Sequence, residues 1–339
     1  MTLPVGTLLW CALFAAIAAA ATWAARVYAL RRRMLDEPGE RRSHTVATPR
    51  GGGIAIVIAM LVAIIAVALR QPREIVLLVC AGFGLLLVAG IGWIDDHRPL
   101  SPWSRLAVHI VASGWLMAGF YLSGSSAEVS LLVFMLSLVL VNIWNFMDGI
   151  DGLASTQAIL VASALSWLSW LVGAMAAVHL GLAFIAAVFG FLPFNFPKAR
   201  IFLGDVGSGA LGFMLALLAG WVLDGLRPAA WPLLLLPFGA FLLDAGLTLA
   251  SRMLRGDRWW TPHVEHAYQR WARHGGGHVR VTVGYAVWTA LGCAAMVWLS
   301  GGDGRGIAML AALWVVFGCG LWRWLRGRYD RMENLGVGA

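Results

Sequence analysis

The sequence predicts an all-α polytopic membrane bundle of about eleven transmembrane helices, with the N-terminus outside and the C-terminus inside. Three observations lead there. Of 339 residues, 60% are hydrophobic and only 12% charged, where an ordinary soluble domain is roughly 45–50% apolar. The apolar residues gather into windows of about twenty, the length that spans a bilayer. The cations are lopsided: loops after odd-numbered windows, with the tail, hold twenty Arg and Lys, and the other loops hold four, Arg70, Arg73, Arg227 and Arg305. Cytoplasmic loops carry the Arg and Lys excess, so the twenty-charge side faces the cytoplasm.

The windows fall at roughly 3–30, 52–70, 75–94, 104–122, 128–144, 154–172, 174–194, 207–224, 230–254, 280–300 and 304–325. No polar stretch has room for a second domain, so residues 1–339 read as one integral membrane unit with motif-bearing loops at about 31–53, 95–105, 145–153, 195–207 and 255–280. The opening stretch lacks a basic region before its apolar run and reads as a retained span rather than a signal peptide. Eighteen Trp suit a protein with two membrane–water interfaces. A pI near 10.0 in a soluble protein would suggest nucleic acid. Here it points to cytoplasmic loops and anionic partners. Cys11, Cys80, Cys293 and Cys319 stand singly in apolar runs, without metal or disulfide spacing.

Each cytoplasmic loop carries polar chemistry. The first reads RRRMLDEPGERRSHTVATPRGGG; Pro49 and Gly51–Gly53 break any helix and leave N–H groups beside Arg50, which suits an anion. The second begins with Asp95-Asp96, adjacent carboxylates that suit a proton acceptor or a magnesium site. Ser101-Pro102 reads as the start of the next helix.

The third, NIWNFMDGIDGL, places Asn142, Asn145, Asp148 and Asp151 three apart at the end of an apolar run. A step of three drifts by about 60° on an ideal helix, so the segment must tighten or leave the helix for all four to converge. Polar groups there are costly in lipid and point to function. The fourth, FNFPKARIFLGDVGSGALGF, offers Lys198 and Arg200, Asp205 for a hard cation, and Gly207-Ser208-Gly209 as a helix start suited to an anion. In the fifth, His263 and His266 share a helix face and read as phosphate-binding or substrate-orienting residues, with Trp259-Trp260 as an interfacial anchor. Asp244, inside a span, reads as structural or supporting; His109 and His179 read as packing residues.

Together DDHRPLSPWSRL, NIWNFMDGIDGLA, FPKARIFLGDVGS and HVEHAYQR resemble the polyprenyl-phosphate N-acetylhexosamine phosphotransferases of glycosyltransferase family 4. The RRSHTVATPRGGG loop and the HAYQR string resemble the branch that starts O-antigen and enterobacterial common antigen synthesis more than the phospho-N-acetylmuramoyl-pentapeptide translocase. The resemblance runs from about residue 31 to residue 285 in five ordered motifs. His109 stands where the family commonly has Gln, and Val264 where Arg is common.

The resemblance implies transfer of a sugar phosphate from a UDP-activated amino sugar to undecaprenyl phosphate at the bacterial inner membrane, with release of UMP. It implies magnesium, or manganese in its place, held by Asn145 and Asp205. Asp95 and Asp96 become the base or phosphate-positioning pair, and Asp148 and Asp151 hold nucleotide or a water. His263 and His266 bind diphosphate or sugar, and Arg50, Lys198 and Arg200 count among the substrate-binding residues. The partners are these two substrates and the bilayer, with no nucleic acid, and pairing of two copies through a helix face is open. Two other readings compete. A lipid-linked sugar flippase should line a path through the bilayer with charge, yet the spans hold little beyond Arg26 and Asp244. An intramembrane prenyltransferase should show paired DxxxD motifs, which are absent.

Overall fold

A computed structural model describes residues 5–37, 46–258, 260–261 and 263–334, so Arg41, Arg42, His44 and Trp259 lie outside the described residues. Eleven long helices and one short one follow in order: α1 (Val5–Arg31), α2 (Ile54–Arg70), α3 (Ile75–His97), α4 (Pro102–Leu122), α5 (Ala127–Met147), α6 (Leu153–Leu171), α7 (Met175–Asn195), α8 (Gly204–Gly225), α9 (Leu235–Leu254), the short α10 (Ala267–Trp271), α11 (Gly277–Leu299) and α12 (Gly304–Asn334). Among the described residues, ten helices are long and apolar enough to cross a membrane. Helix α2, with 17 residues, measures about 25 Å. The chain is thus an all-α polytopic membrane protein, as its hydropathy predicts.

Helix α8 is the axis of the bundle. Every residue from Val206 to Leu223 is buried, and α5, α3 and α6 pack around it. Apolar side chains turn outward on the peripheral helices instead: Leu8 of α1, Trp298 of α11 and Val316 of α12 are exposed, as lipid contact requires.

Helix ends fall where local chemistry sets them. Ser101 caps α4, its Oγ accepting the Ser104 N–H at 3.1 Å with Pro102 in the first turn. Ser126 caps α5 in the same way through the Val129 N–H. Helix α3 runs on to His97 and stops at Arg98, which is extended (φ −144°, ψ 115°) as the residue before a proline should be. Asp95 and Asp96 therefore occupy the last turn of a helix rather than a loop. Helix α8 begins at Gly204, three residues before the expected start, so Asp205 sits in its first turn.

The Asn142–Asp151 segment divides. It stays α-helical to Met147, Asp148 ends α5, and Gly152 (φ +71°) leads into α6. Asn142 does not join the others: its Nδ2 donates to the Leu138 carbonyl of its own helix at 2.7 Å.

The described ends of the first loop are tied to each other. Strands β1 (Leu35–Asp36) and β2 (Thr48–Pro49) pair antiparallel, with Leu35 opposite Pro49. In the long fifth loop, α10 is followed by a π turn over Ala272–Gly276 in which His274 and Gly275 leave helical geometry. Trp260 lies in a turn before that helix, not within one.

Candidate functional site

The site is assembled around the first turn of α8. Gly92 of α3 lies against that turn so closely that a Cβ would come within 2.5 Å of the Val206 nitrogen. This approach carries Asp96, one turn further along α3, to the helix start. Its Oδ1 accepts the Asp205 N–H at 3.0 Å and its Oδ2 the Val206 N–H at 3.2 Å. A carboxylate on free N–H groups at the positive end of a helix is a favourable pairing. The Gly207-Ser208-Gly209 helix start is therefore already served by Asp96, which corrects its reading as an anion site.

Two of the three glycines of the first loop are also committed. Gly52 donates to the Phe202 carbonyl at 2.9 Å and Gly53 to the Leu203 carbonyl at 2.8 Å, while Phe202 donates back to Pro49 at 2.8 Å. These N–H groups do not form the expected phosphate cradle. The run seams the first loop to the fourth, and Arg50 is what it contributes to the site.

A cavity of about 250 Å³ opens at this end of the bundle, lined by Asp36, Arg50, Asp96, Asp148, Asp151, Asn195, Phe202, Gly204, Asp205, Gln269 and Arg273 among others. All five loops that the sequence singled out contribute to it. Asp151 receives the Ala199 N–H at 3.2 Å, and His278 Nδ1 stands 3.2 Å from the same oxygen. Asn195 holds the turn before α6 by accepting the Gly152 N–H at 3.0 Å and donating to Ile201 at 3.1 Å. The Asp148 carboxyl is pushed well above the usual carboxylate range, first by burial and then by the charges of Asp205, Asp96 and Asp151.

Asp95 turns away from its neighbour. It accepts the Leu100 N–H at 2.6 Å and pairs with Arg105 at 3.1 Å. The same guanidinium nitrogen reaches Asp205 at 2.6 Å. The adjacent pair is thus split: Asp96 lines the cavity and Asp95 belongs to its frame. Asn145 Nδ2 donates to Ser208 Oγ at 3.1 Å. Ser208 lies three residues along α8 from Asp205, on the same face, so Asn145 and Asp205 share one side of the helix start.

Four predicted substrate residues do not line the cavity. Lys198 and Arg200 are exposed; the Arg200 guanidinium donates to the Pro193 carbonyl at 2.6 Å and lies over the Phe194 ring. Charge alone suggested them, and the segment sends Asn195 and Phe202 inward instead. His266 is buried, stacked on Phe146 and Tyr268, and His263 packs against it with ring centroids 4.9 Å apart. Burial, followed by the neighbouring His266 and Arg252, pushes His263 down to about 4.

This His pair belongs to a support. Asp244 accepts N–H bonds from Ala267 at 2.8 Å and Tyr268 at 3.1 Å, and the Tyr285 hydroxyl at 2.7 Å. It caps α10, while Tyr268 in turn donates to the Phe146 carbonyl at 3.0 Å. The loop is thereby docked on α5, and Gln269 and Arg273 reach the cavity from it. Arg105, Asn195, Gln269, Arg273 and His278 were missed as site residues. All are polar residues within the quoted motifs or the fifth loop, so their types, though not their partners, were in view.

The donor set suits magnesium. Among the described residues the cavity is lined by carboxylates and side-chain amides and by no Cys or Met, the preference of a hard cation, and Asn145 stands beside it on Ser208 rather than in its wall. A cation would offset the repulsion that adds to burial in raising Asp148. Among the described residues no three His, Cys, Asp or Glu groups are gathered to hold a metal by themselves, but magnesium commonly takes one or two protein carboxylates and completes its shell with water and substrate phosphate.

The glycosyl transferase family 4 model matches residues 76–222, the stretch from α3 to α8 that carries Asp95, Asp96, Asn145, Asp148, Asp151 and Asp205. The chain is 29% identical to a decaprenyl-phosphate N-acetylglucosaminephosphotransferase of Mycobacterium tuberculosis, over 84% of this chain and 80% of the relative. It is 27% identical to a probable undecaprenyl-phosphate N-acetylglucosaminyl 1-phosphate transferase of Bacillus subtilis, over 78% and 79%. A phospho-N-acetylmuramoyl-pentapeptide-transferase of Streptococcus pneumoniae is 31% identical over 54% of this chain and 62% of that one. The family match spans α3 to α8, and the relatives are polyprenyl-phosphate N-acetylglucosamine phosphotransferases and a phospho-N-acetylmuramoyl-pentapeptide-transferase: along the stretch that carries most of the cavity's carboxylates, the chain is similar to members of glycosyl transferase family 4.

Proposed function

We propose that the protein transfers the sugar phosphate of a UDP-activated amino sugar to undecaprenyl phosphate, releasing UMP and starting a lipid-linked cell-surface polysaccharide of the O-antigen type. The observation that carries this reading is the cavity itself: acidic and basic groups from five separate loops meet at one end of an otherwise apolar bundle. A reaction between a membrane-held phosphate and a soluble nucleotide sugar needs a site of that kind. The names of the relatives support a polyprenyl-phosphate acceptor and an N-acetylated amino sugar. The twenty-to-four division of Arg and Lys supports a cytoplasmic cavity in the bacterial inner membrane.

In the step proposed, an oxygen of the lipid phosphate attacks the sugar-bearing phosphorus of the UDP-sugar. The bond from that phosphorus to the bridging oxygen breaks, and UMP leaves with that oxygen. Arg50 and Arg273 offset phosphate charge in the cavity. Asp96, which lines the cavity where Asp95 does not, would accept any proton still on the lipid phosphate. Asp148 and Asp151 orient the nucleotide or a water. Asn145 and Asp205 would hold magnesium, or manganese in its place, which supplies positive charge between two anionic substrates.

Purified protein in lipid nanodiscs, given undecaprenyl phosphate, magnesium and a panel of UDP-sugars, should release UMP with at least one amino sugar. Activity only with a sugar that lacks the amino group would refute the donor assignment.

A further inference from the structure

A second cavity, of about 320 Å³, adjoins the first, with walls that include Tyr28, Arg32, Arg33, Arg50, Asp96 and His97. Arg50 and Asp96 line both cavities, so the two meet at these side chains.

The second cavity has the charge of an anion site. Arg32, Arg33 and Arg50 line it together with one carboxylate, Asp96, and both oxygens of Asp96 already accept N–H groups of α8. The His97 ring is engaged at both nitrogens, by the Trp93 carbonyl at 2.8 Å and the Tyr28 hydroxyl at 3.2 Å. Arg33 is held at φ +54°, in the left-handed region that side chains other than Gly rarely take. The neighbouring structure imposes that turn, because Met34 accepts the Arg50 N–H at 3.1 Å and β1 pairs with β2. Such a conformation persists where its surroundings over-determine it, and this one keeps Arg32 and Arg33 together beside Arg50.

The cavity also sits where apolar surface ends. Tyr28 of α1 stacks on Trp93 of α3 at 5.7 Å. Leu30 and Ile94, on the same two helix ends, are 45% and 49% exposed, so hydrocarbon can lie beside a basic pocket.

We propose that this pocket receives the phosphate monoester head of the lipid acceptor and passes it by Arg50 and Asp96 into the first cavity. The proposal rests on the transferase reading above. A monoester carries about −1.5 to −2 charges at neutral pH, against one on a phosphodiester lipid, so three arginines favour the acceptor over bulk phospholipid.

The test is binding of undecaprenyl phosphate to the full-length protein in nanodiscs, read by native mass spectrometry without nucleotide sugar. Phosphatidylglycerol and inorganic phosphate serve as competing probes. The variants are Arg32→Gln and Arg33→Gly; glycine takes the positive φ without strain, so the second removes the guanidinium while keeping the turn. Each variant should bind undecaprenyl phosphate about tenfold more weakly, the scale of one charge-assisted hydrogen bond. In turnover the KM for lipid should rise by the same factor, with kcat and the KM for UDP-sugar held. Unchanged lipid affinity in both variants would overturn the proposal. So would equal competition by phosphatidylglycerol or inorganic phosphate, which would make the pocket a general basic rim. Wild-type protein that binds the lipid, loses it in the variants and yet releases no UMP would sink the transferase reading and leave the pocket standing.

Discussion

Arg105 joins two carboxylates from different helices, its Nη1 lying 3.1 Å from Asp95 Oδ2 and 2.6 Å from Asp205 Oδ2. Asp95 ends α3, Arg105 opens α4 and Asp205 opens α8, so one side chain fixes three helix ends around the cavity. Arg105→Gln should leave two partly buried carboxylates facing each other uncompensated. The side chains are 14–30% exposed, which puts the loss at the lower part of the buried-charge range, about 1–3 kcal/mol. Thermal unfolding in detergent should show a lower Tm, with turnover reduced at least tenfold. An unchanged Tm would mean that the bridge does not hold the frame.

Asp148 makes a prediction in pH. Its carboxyl is raised above the ordinary value by burial and by Asp205, Asp96 and Asp151, so the folded protein holds a proton there that the unfolded chain releases. Stability from this group is present below the ordinary carboxylate pKa and is lost as pH rises above it. In chelator-treated protein, Asp148→Asn should therefore unfold at a higher temperature than wild type at pH 7, and the gap should close toward pH 4. Equal Tm values across that range would remove the repulsive cluster from consideration.

His263 has the opposite sign. Burial, with His266 and Arg252 behind it, lowers it from 6.5 to about 4, so the unfolded chain binds a proton that the folded one refuses. Its contribution is intact above pH 6.5 and declines as pH falls from there toward 4. His263→Gln should show a smaller fall in Tm between pH 7 and pH 5 than wild type. A fall as large as that of wild type would place the acid sensitivity elsewhere.

The helices were legible because hydropathy in a chain this apolar is nearly a map of the spans. The site was legible in outline for the same reason, since Asp96, Asp148, Asp151 and Asp205 stand out at helix ends where charge is otherwise sparse. What sequence could not supply was the partner of each group. Gly52 and Gly53 looked like free donors, but their N–H groups meet Phe202 and Leu203, some 150 residues away. Charge alone points to Lys198 and Arg200, yet both side chains lie exposed outside the cavity. Arg105 sat inside a quoted motif, and its role appeared only when Asp205 arrived from 100 residues on. Asp244 stands as the lone carboxylate of its span by sequence, and its partners are backbone N–H groups of α10, which no side-chain pattern announces.

The most direct measurement is UMP release by the purified protein in nanodiscs, with UDP-N-acetylglucosamine and undecaprenyl phosphate, comparing wild type with Asp205→Ala. Wild type should form UMP and lipid-linked sugar phosphate in equal amounts, only when magnesium and the lipid phosphate are both present, and folded Asp205→Ala should lose at least a hundredfold in rate. Near wild-type turnover in Asp205→Ala would contradict the assignment of Asp205 to the reacting centre, and movement of a lipid-linked sugar across the bilayer without any UMP would contradict transfer itself.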